Sequence, residues 1–169
     1  MLVVVDTNVA VVANRKAPQA SAHCVSSCTE RLRRIERSGR LALDDQWLIL
    51  EEYLRYLRPD GQPGPGDSFL KWILTNRWNA RRCVVVPIVS RNGNAEDFKS
   101  FPRDHRLARF DPADRKFVAV ALAHPKRPPI LQAVDSRWWG FKEILGQNGV
   151  RVDFLCQDDM RRLVARRRR

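Results

Sequence analysis

The chain has 169 residues, 44% of them hydrophobic, which suits one folded domain with a sizeable core and excludes a globally disordered chain. Lys and Arg number 31 against 19 Asp and Glu, a net charge of +12 that favours polyanions, nucleic acid first and an anionic membrane surface second. The tail RRLVARRRR carries six arginines, and without them the remainder is still at +6.

The first apolar stretch, VVVDTNVAVVAN, contains a strand over Leu2–Val5. Its β-branched run reads as buried on both faces, as in a parallel sheet, and Asp6 stands where it ends. That carboxylate is either a cap for a following helix or part of a site. No basic region precedes the run, and Asp6 and Asn8 interrupt it, so it does not read as a secretory leader. No segment approaches the ~20 apolar residues of a membrane span, so no membrane partner is expected. The four cysteines (Cys24, Cys28, Cys83, Cys156) are too sparse for a disulfide scaffold and point to a reducing cytoplasm.

Ala20 to Ser38 carries an apolar stripe of Cys24, Cys28, Leu32 and Ile35 at helical spacing. His23, Cys24 and Cys28 lack a fourth ligand and a CxxC spacing, so a core stripe is expected there and not zinc. GRLALDD reads as a turn, a short strand and a cap at Asp44 or Asp45. A helix from Gln46 to Leu57 follows, burying Trp47, Leu50, Tyr53, Leu54 and Leu57. RPDGQPGPGD stops it, since its prolines and glycines cannot continue a helix, and no phosphate-binding Gly-Lys-Ser/Thr follows. A helix over Ser68 to Asn79 and a second buried strand, CVVVPI, come next. Val89 to Phe110 is polar and irregular, the signature of a long excursion near a functional edge. DPADRKFVAVALAH is a helix start with Asp111 as cap and Pro112 and Asp114 in the first turn. ILQAVD is a third apolar run ending in an acid, and SRWWGFKEIL and VRVDFL supply a last helix and strand. The expected domains are 1–156 and a basic helix or tail over 157–169.

Two strands that end in Asp6 and Asp135 place both acids on one rim of a parallel sheet, where ligands bind. Asp114 can join them from its helix start, and Glu51 or Glu52 from the helix after the short strand. Each acid alone has a plain reading as a cap or a solvated group. Capping does not, however, require two consecutive apolar strands to end in acids. Clustered carboxylates repel one another unless a cation intervenes, and a hard divalent ion suits such oxygen ligands.

VVVDTNV, LEEYLRYL, DPADRKFVAVALA and ILQAVD resemble, in order, the four acidic motifs of the PIN domain. The D-x-x-D-x-K/R-F form before an Ala-rich helix is similar to VapC-like bacterial toxins. The resemblance runs from Asp6 to the strand near Val152. It implies a three-layer α/β/α sandwich with a central, mostly parallel sheet, and a Mg²⁺- or Mn²⁺-dependent endoribonuclease. Carried over, Asp6, Glu52, Asp114 and Asp135 are the catalytic acids, with Asp6, Asp114 and Asp135 as metal ligands. Glu52 is chosen over Glu51 because it directly precedes a bulky residue, Tyr53. Thr7 and Asn8 match the supporting polar pair, and Asp111 and Ser136 are further supporting residues. The resemblance departs at Ala133, where the family often has Thr or Ser. It further implies RNA as partner, an antitoxin protein if the toxin analogy holds, and room for a homodimer. Arg161, Arg162, Arg166, Arg167, Arg168 and Arg169 are the expected nucleic-acid contacts. Two alternatives stand beside it. One is a non-catalytic RNA-binding PIN-like module. The other is a haloacid-dehalogenase-type phosphatase, disfavoured because Asn8 occupies the place of its proton-donating acid.

Overall fold

In the computed structural model, which describes residues 1–60 and 64–167, the run LVVV forms β1 (Leu2–Val5), with Val3, Val4 and Val5 wholly enclosed. The chain turns at Asp6 into α1 (Thr7–Ala13), then α2 (Ala22–Ser38), β2 (Arg40–Asp44) and α3 (Leu48–Tyr56). There follow α4 (Pro65–Asn76), β3 (Cys83–Val86), a hairpin of β4 (Ser90–Arg91) and β5 (Asn94–Phe98), and α5 (Arg115–Ala123). β6 (Ile130–Gln132), α6 (Ser136–Gln147), β7 (Val152–Phe154) and α7 (Gln157–Arg167) close the order.

Five strands make a parallel sheet in the order β3-β2-β1-β6-β7. The chain builds outward from β1 to β3, then returns to lay β6 against the other side of β1. The strand ends of β1 and β6 therefore flank a topological switch point, where side chains from both halves face one crevice. α1, α2 and α4 pack on one another in one helical layer. α5 packs on β1, β2 and β6 in the other, and α3 sits at the rim against α1 and α5. This is the α/β/α sandwich expected from the sequence.

Several local expectations are corrected. α4 begins at Pro65 and not Ser68, because Asp67 accepts the Gly64 N–H at 3.2 Å and proline suits a first turn. Gly66 lets α4 approach α1: a Cβ there would stand 2.2 Å from the Ala10 carbonyl oxygen. Leu54 is exposed, since the face it occupies points away from the sheet. β3 is an edge strand, so Val85 is exposed where a fully buried strand was expected. The segment Val89 to Phe110 is not irregular throughout; it contains the β4–β5 hairpin. α3 starts with Trp47 at φ 63°, a left-handed turn, and its first amides are capped by Asp44, whose oxygens accept Leu48 N–H at 2.7 Å and Ile49 N–H at 2.9 Å.

The cysteine expectation is also corrected. Cys24, in the first turn of α2, and Cys156, just before α7, form a disulfide with a Cα separation of 5.1 Å. They are 132 residues apart, and only the return of the chain through β7 brings them together. Cys24, Cys28, Leu32 and Ile35 are buried on one face of α2, as their spacing indicates. No helix among the described residues is long and apolar enough to cross a membrane.

Candidate metal centre

The end of β1 is fixed from two sides. Asp6 N–H donates to the Leu131 carbonyl of β6 at 3.0 Å, and Tyr53 of α3 donates its hydroxyl to the Val5 carbonyl at 2.5 Å. Asp6 is 5% exposed and caps α1 with one oxygen, Oδ1, which accepts the Asn8 N–H at 2.9 Å. Its other oxygen accepts no hydrogen bond among the described residues. The contrast with Asp44 is informative. That acid also ends a strand, but both its oxygens are taken by helix amides, so it is a cap and nothing more. Asp6 is a cap with one oxygen to spare.

Asn8 reaches across to the neighbouring strand end, its Oδ1 accepting the Ala133 N–H at 2.9 Å. Thr7, the other residue of the pair, donates its hydroxyl to Glu52 Oε1 at 2.6 Å. Glu52 also meets Lys116 Nζ at 2.5 Å through its second oxygen. Glu51, one position earlier on α3, is exposed. Asp111 caps a 3-10 turn, Pro112–Asp114, which leads into α5 and carries Asp114 at its end. Asp114 Oδ2 accepts the indole N–H of buried Trp138 at 3.0 Å. Asp135 caps α6 by accepting the Arg137 N–H at 2.8 Å. Arg137 then spans two acids, 2.6 Å from Asp111 and 3.6 Å from Asp135. Ser136 is half-buried beside them in the hollow that includes Asp114 and Arg137.

The four acids expected from the sequence lie near enough for their charges to act on one another. Burial, then the charge of Asp114, the helix-cap bond to Asn8 opposing, raises the Asp6 carboxyl well above the usual range. Asp114 is pushed up to about 6 by burial, then by Asp111, Asp135 and Glu52. Lys116 offsets Glu52, and Arg137 offsets Asp111 and Asp135. Among the described residues, neither Asp6 nor Asp114 has an ion-pair partner. The donor set is all hard carboxylate oxygen, which fits Mg²⁺ or Mn²⁺. No three of these acids bring their oxygens within 4.8 Å of one another.

Basic side chains ring the acids: Lys16 shares a hollow with Asn8 and Asp135, Arg55 with Glu52, and Arg109 with Asp111 and Asp114. Of the arginines expected at the tail, Arg161 and Arg162 are paired elsewhere. Arg161 pairs with Asp158 at 3.5 Å and Arg162 with Asp159, which is anchored to Ser21 N–H at 2.8 Å. Arg166 is exposed on α7, Arg167 ends that helix, and Arg168 and Arg169 lie outside the described residues. Among the described side chains of α7, Arg161, Arg162 and Arg166 make no ion pair with Asp6, Glu52, Asp114 or Asp135. Sequence reasoning missed Lys116, Arg137 and Trp138. Lys116 stood inside the motif DPADRKF, two residues after Asp114, but nothing local assigned it to Glu52.

No family model matches the chain, and no solved structure matches it. Among curated proteins it is similar to the RNA polymerase sigma factor CarQ of Myxococcus xanthus, 29% identical over 127 residues, which cover 70% of this chain and 68% of the relative. That relative is named for RNA polymerase and not for RNA cleavage. It corrects the expectation of a metal-dependent ribonuclease, and the toxin role and its antitoxin partner go with it. The physical reason is that a cluster of acids does not by itself specify hydrolysis of RNA, which requires more than the cluster.

Proposed function

We propose that this chain is a regulatory nucleic-acid-binding protein that works with RNA polymerase, and that its PIN-like crevice holds Mg²⁺ or Mn²⁺ against the nucleic-acid backbone. The observation that carries this reading is the uncompensated pair Asp6 and Asp114, two carboxylates left without an ion pair in a protein of net charge +12. Asp6, Asp114 and Asp135 would hold the cation, and Thr7 and Lys116 keep Glu52 in place beside them. When bound, the cation supplies a positive charge that draws a backbone phosphate toward an otherwise repulsive acidic pocket. Lys16, Arg55, Arg109 and Arg137 on the rim take the flanking phosphates, the contacts that position a chain without reading its sequence. The similarity to a sigma factor supports the regulatory and polymerase-associated part. The reading places the protein in the cytoplasm, with DNA or RNA as the polyanion.

The test is anisotropy of a labelled RNA strand and a labelled DNA duplex, titrated in EDTA and in Mn²⁺. Mn²⁺ should tighten binding of at least one of them about tenfold, a coupling of ~1.4 kcal/mol. Asp6→Asn should remove that gain while leaving metal-free binding intact. Equal affinity for both probes in EDTA and Mn²⁺ would overturn the reading. So would Mn²⁺-dependent shortening of either probe on a denaturing gel that Asp6→Asn abolishes.

A further inference from the structure

Away from the acidic crevice, three sulfurs converge between α2 and the start of α7. Cys24, Cys28 and Cys156 are all buried, and their sulfur atoms lie within 4.8 Å of one another. Cys24 and Cys28 are four residues apart on one helix face, and Cys156 arrives from the end of β7. A structural disulfide needs two cysteines, and here a third thiol stands beside it without another partner: Cys28 Sγ is 3.8 Å from Cys156 Sγ. Two sulfurs bound to one tetrahedral Zn²⁺, at a Zn–S distance of ~2.3 Å, lie about 3.8 Å apart. A hollow lined by Ser21, His23, Cys24, Cys156 and Asp159 joins the cluster to solvent.

We propose that in the reduced chain Cys24, Cys28 and Cys156 bind one Zn²⁺ as three thiolate ligands, with a water from this hollow in the fourth position. Two electrons and two protons from a thiol reductant open the Cys24–Cys156 bond to two thiols. Zn²⁺ then displaces three thiol protons to solvent and bonds to three sulfurs. Asp159, which accepts the Ser21 N–H at 2.8 Å, lines the same hollow as Cys24 and Cys156 and brings a negative charge to it. The same negative charge favours a cation beside it. Thiolate ligands select zinc over the hard ions suited to the carboxylates, so the two centres are chemically distinct.

The test uses the full chain, reduced by a phosphine under anaerobic conditions and dialysed against Zn²⁺, with bound metal counted by elemental analysis. One tightly held Zn²⁺ per chain is expected. Replacement by Co²⁺ should give thiolate-to-cobalt charge-transfer absorption. Cys28→Ala and Cys28→Ser should each weaken retention against a chelator at least tenfold, while Asp6→Asn leaves it unchanged. Absence of both retained Zn²⁺ and the cobalt–thiolate absorption in the reduced wild type would overturn the proposal. Loss of the zinc in Asp6→Asn with retention in both Cys28 variants would also overturn it. The wild-type result stands even if a cysteine variant fails to fold.

Discussion

Asn8 Oδ1 accepts the backbone N–H of Ala133 at 2.9 Å, so the first turn after β1 is fastened to the end of β6. This bond ties the turn that carries Asp6 to the segment that leads from β6 to Asp135. Asn8→Ala should lower stability by less than about 1 kcal/mol, because the Ala133 N–H keeps a second acceptor, Gln132 Oε1 at 2.9 Å. It should also reduce the stabilisation given by Mn²⁺, because Asp135 loses its fixed position relative to Asp6. Urea denaturation with EDTA and with Mn²⁺ reads both effects; an unchanged Mn²⁺ increment would show that the bond supports the fold alone.

Lys116 stands where a cation is needed beside Glu52, and the two are largely buried. Lys116→Met should destabilise the metal-free protein by about 1–3 kcal/mol, less than a fully buried pair because Glu52 retains some access to water. The same change frees a carboxylate and removes a positive charge, so Mn²⁺ should bind more tightly. Calorimetric titration decides it, and weaker Mn²⁺ binding by the variant would contradict this role for Lys116.

The Asp114 carboxyl, at about 6 in the folded chain, lies above the ~3.9 of an unfolded aspartate. A group raised in this way favours the folded state at low pH, and that contribution is lost as pH rises through the folded value. In EDTA, wild type should therefore lose ground to Asp114→Asn between about pH 4 and pH 6–7. Comparing the two proteins cancels the carboxylates that Arg58, Ser21 and Arg162 hold low elsewhere. With Mn²⁺ the wild type should regain the advantage at the upper end of the window. A melting-temperature difference that does not vary with pH in EDTA would contradict the assignment.

The parts of this site that were legible in the sequence are those set by local pattern. Asp6 announced itself because β1 ends where a carboxylate begins, and Asp135 because it ends an apolar run, although β6 stops three residues earlier and Asp135 caps α6. Asp114 was visible in a capping pattern, and Glu52 in the register of one helix against Tyr53. What stayed hidden depends on closure of the fold. Lys116 finds Glu52, and Arg137 finds Asp111, only once α5 and α6 are laid beside α3 and β6. The Cys24–Cys156 bond spans 132 residues, and no spacing rule reaches that far. Val85 and Leu54 were expected inside because their runs are apolar, but exposure there follows from which strand is the edge and how a short helix is rotated.

The disulfide has its own consequence. It closes a span of 132 residues, and in the chain-entropy picture opening so large a loop costs up to about 5 kcal/mol. Reduction should lower the urea midpoint of the metal-free wild type, and a Cys24→Ala, Cys156→Ala double variant should be insensitive to reductant. A wild-type midpoint that ignores reductant would contradict this bond's place in the stability of the folded chain.

The central claim is that Asp6 belongs to a cation centre as well as capping α1, and one pair of melting experiments addresses it directly. Asp6→Asn keeps the size and the cap-accepting oxygen while removing one of several mutually repelling charges. In EDTA the variant should melt at the temperature of wild type or above it. With Mn²⁺ at a hundredfold excess over its dissociation constant, wild type should gain ~2.7 kcal/mol, or about 5–10 °C, and the variant should gain almost nothing. A variant that melts lower than wild type in EDTA yet keeps the full Mn²⁺ shift would mean that Asp6 is a helix cap only, and would contradict the account.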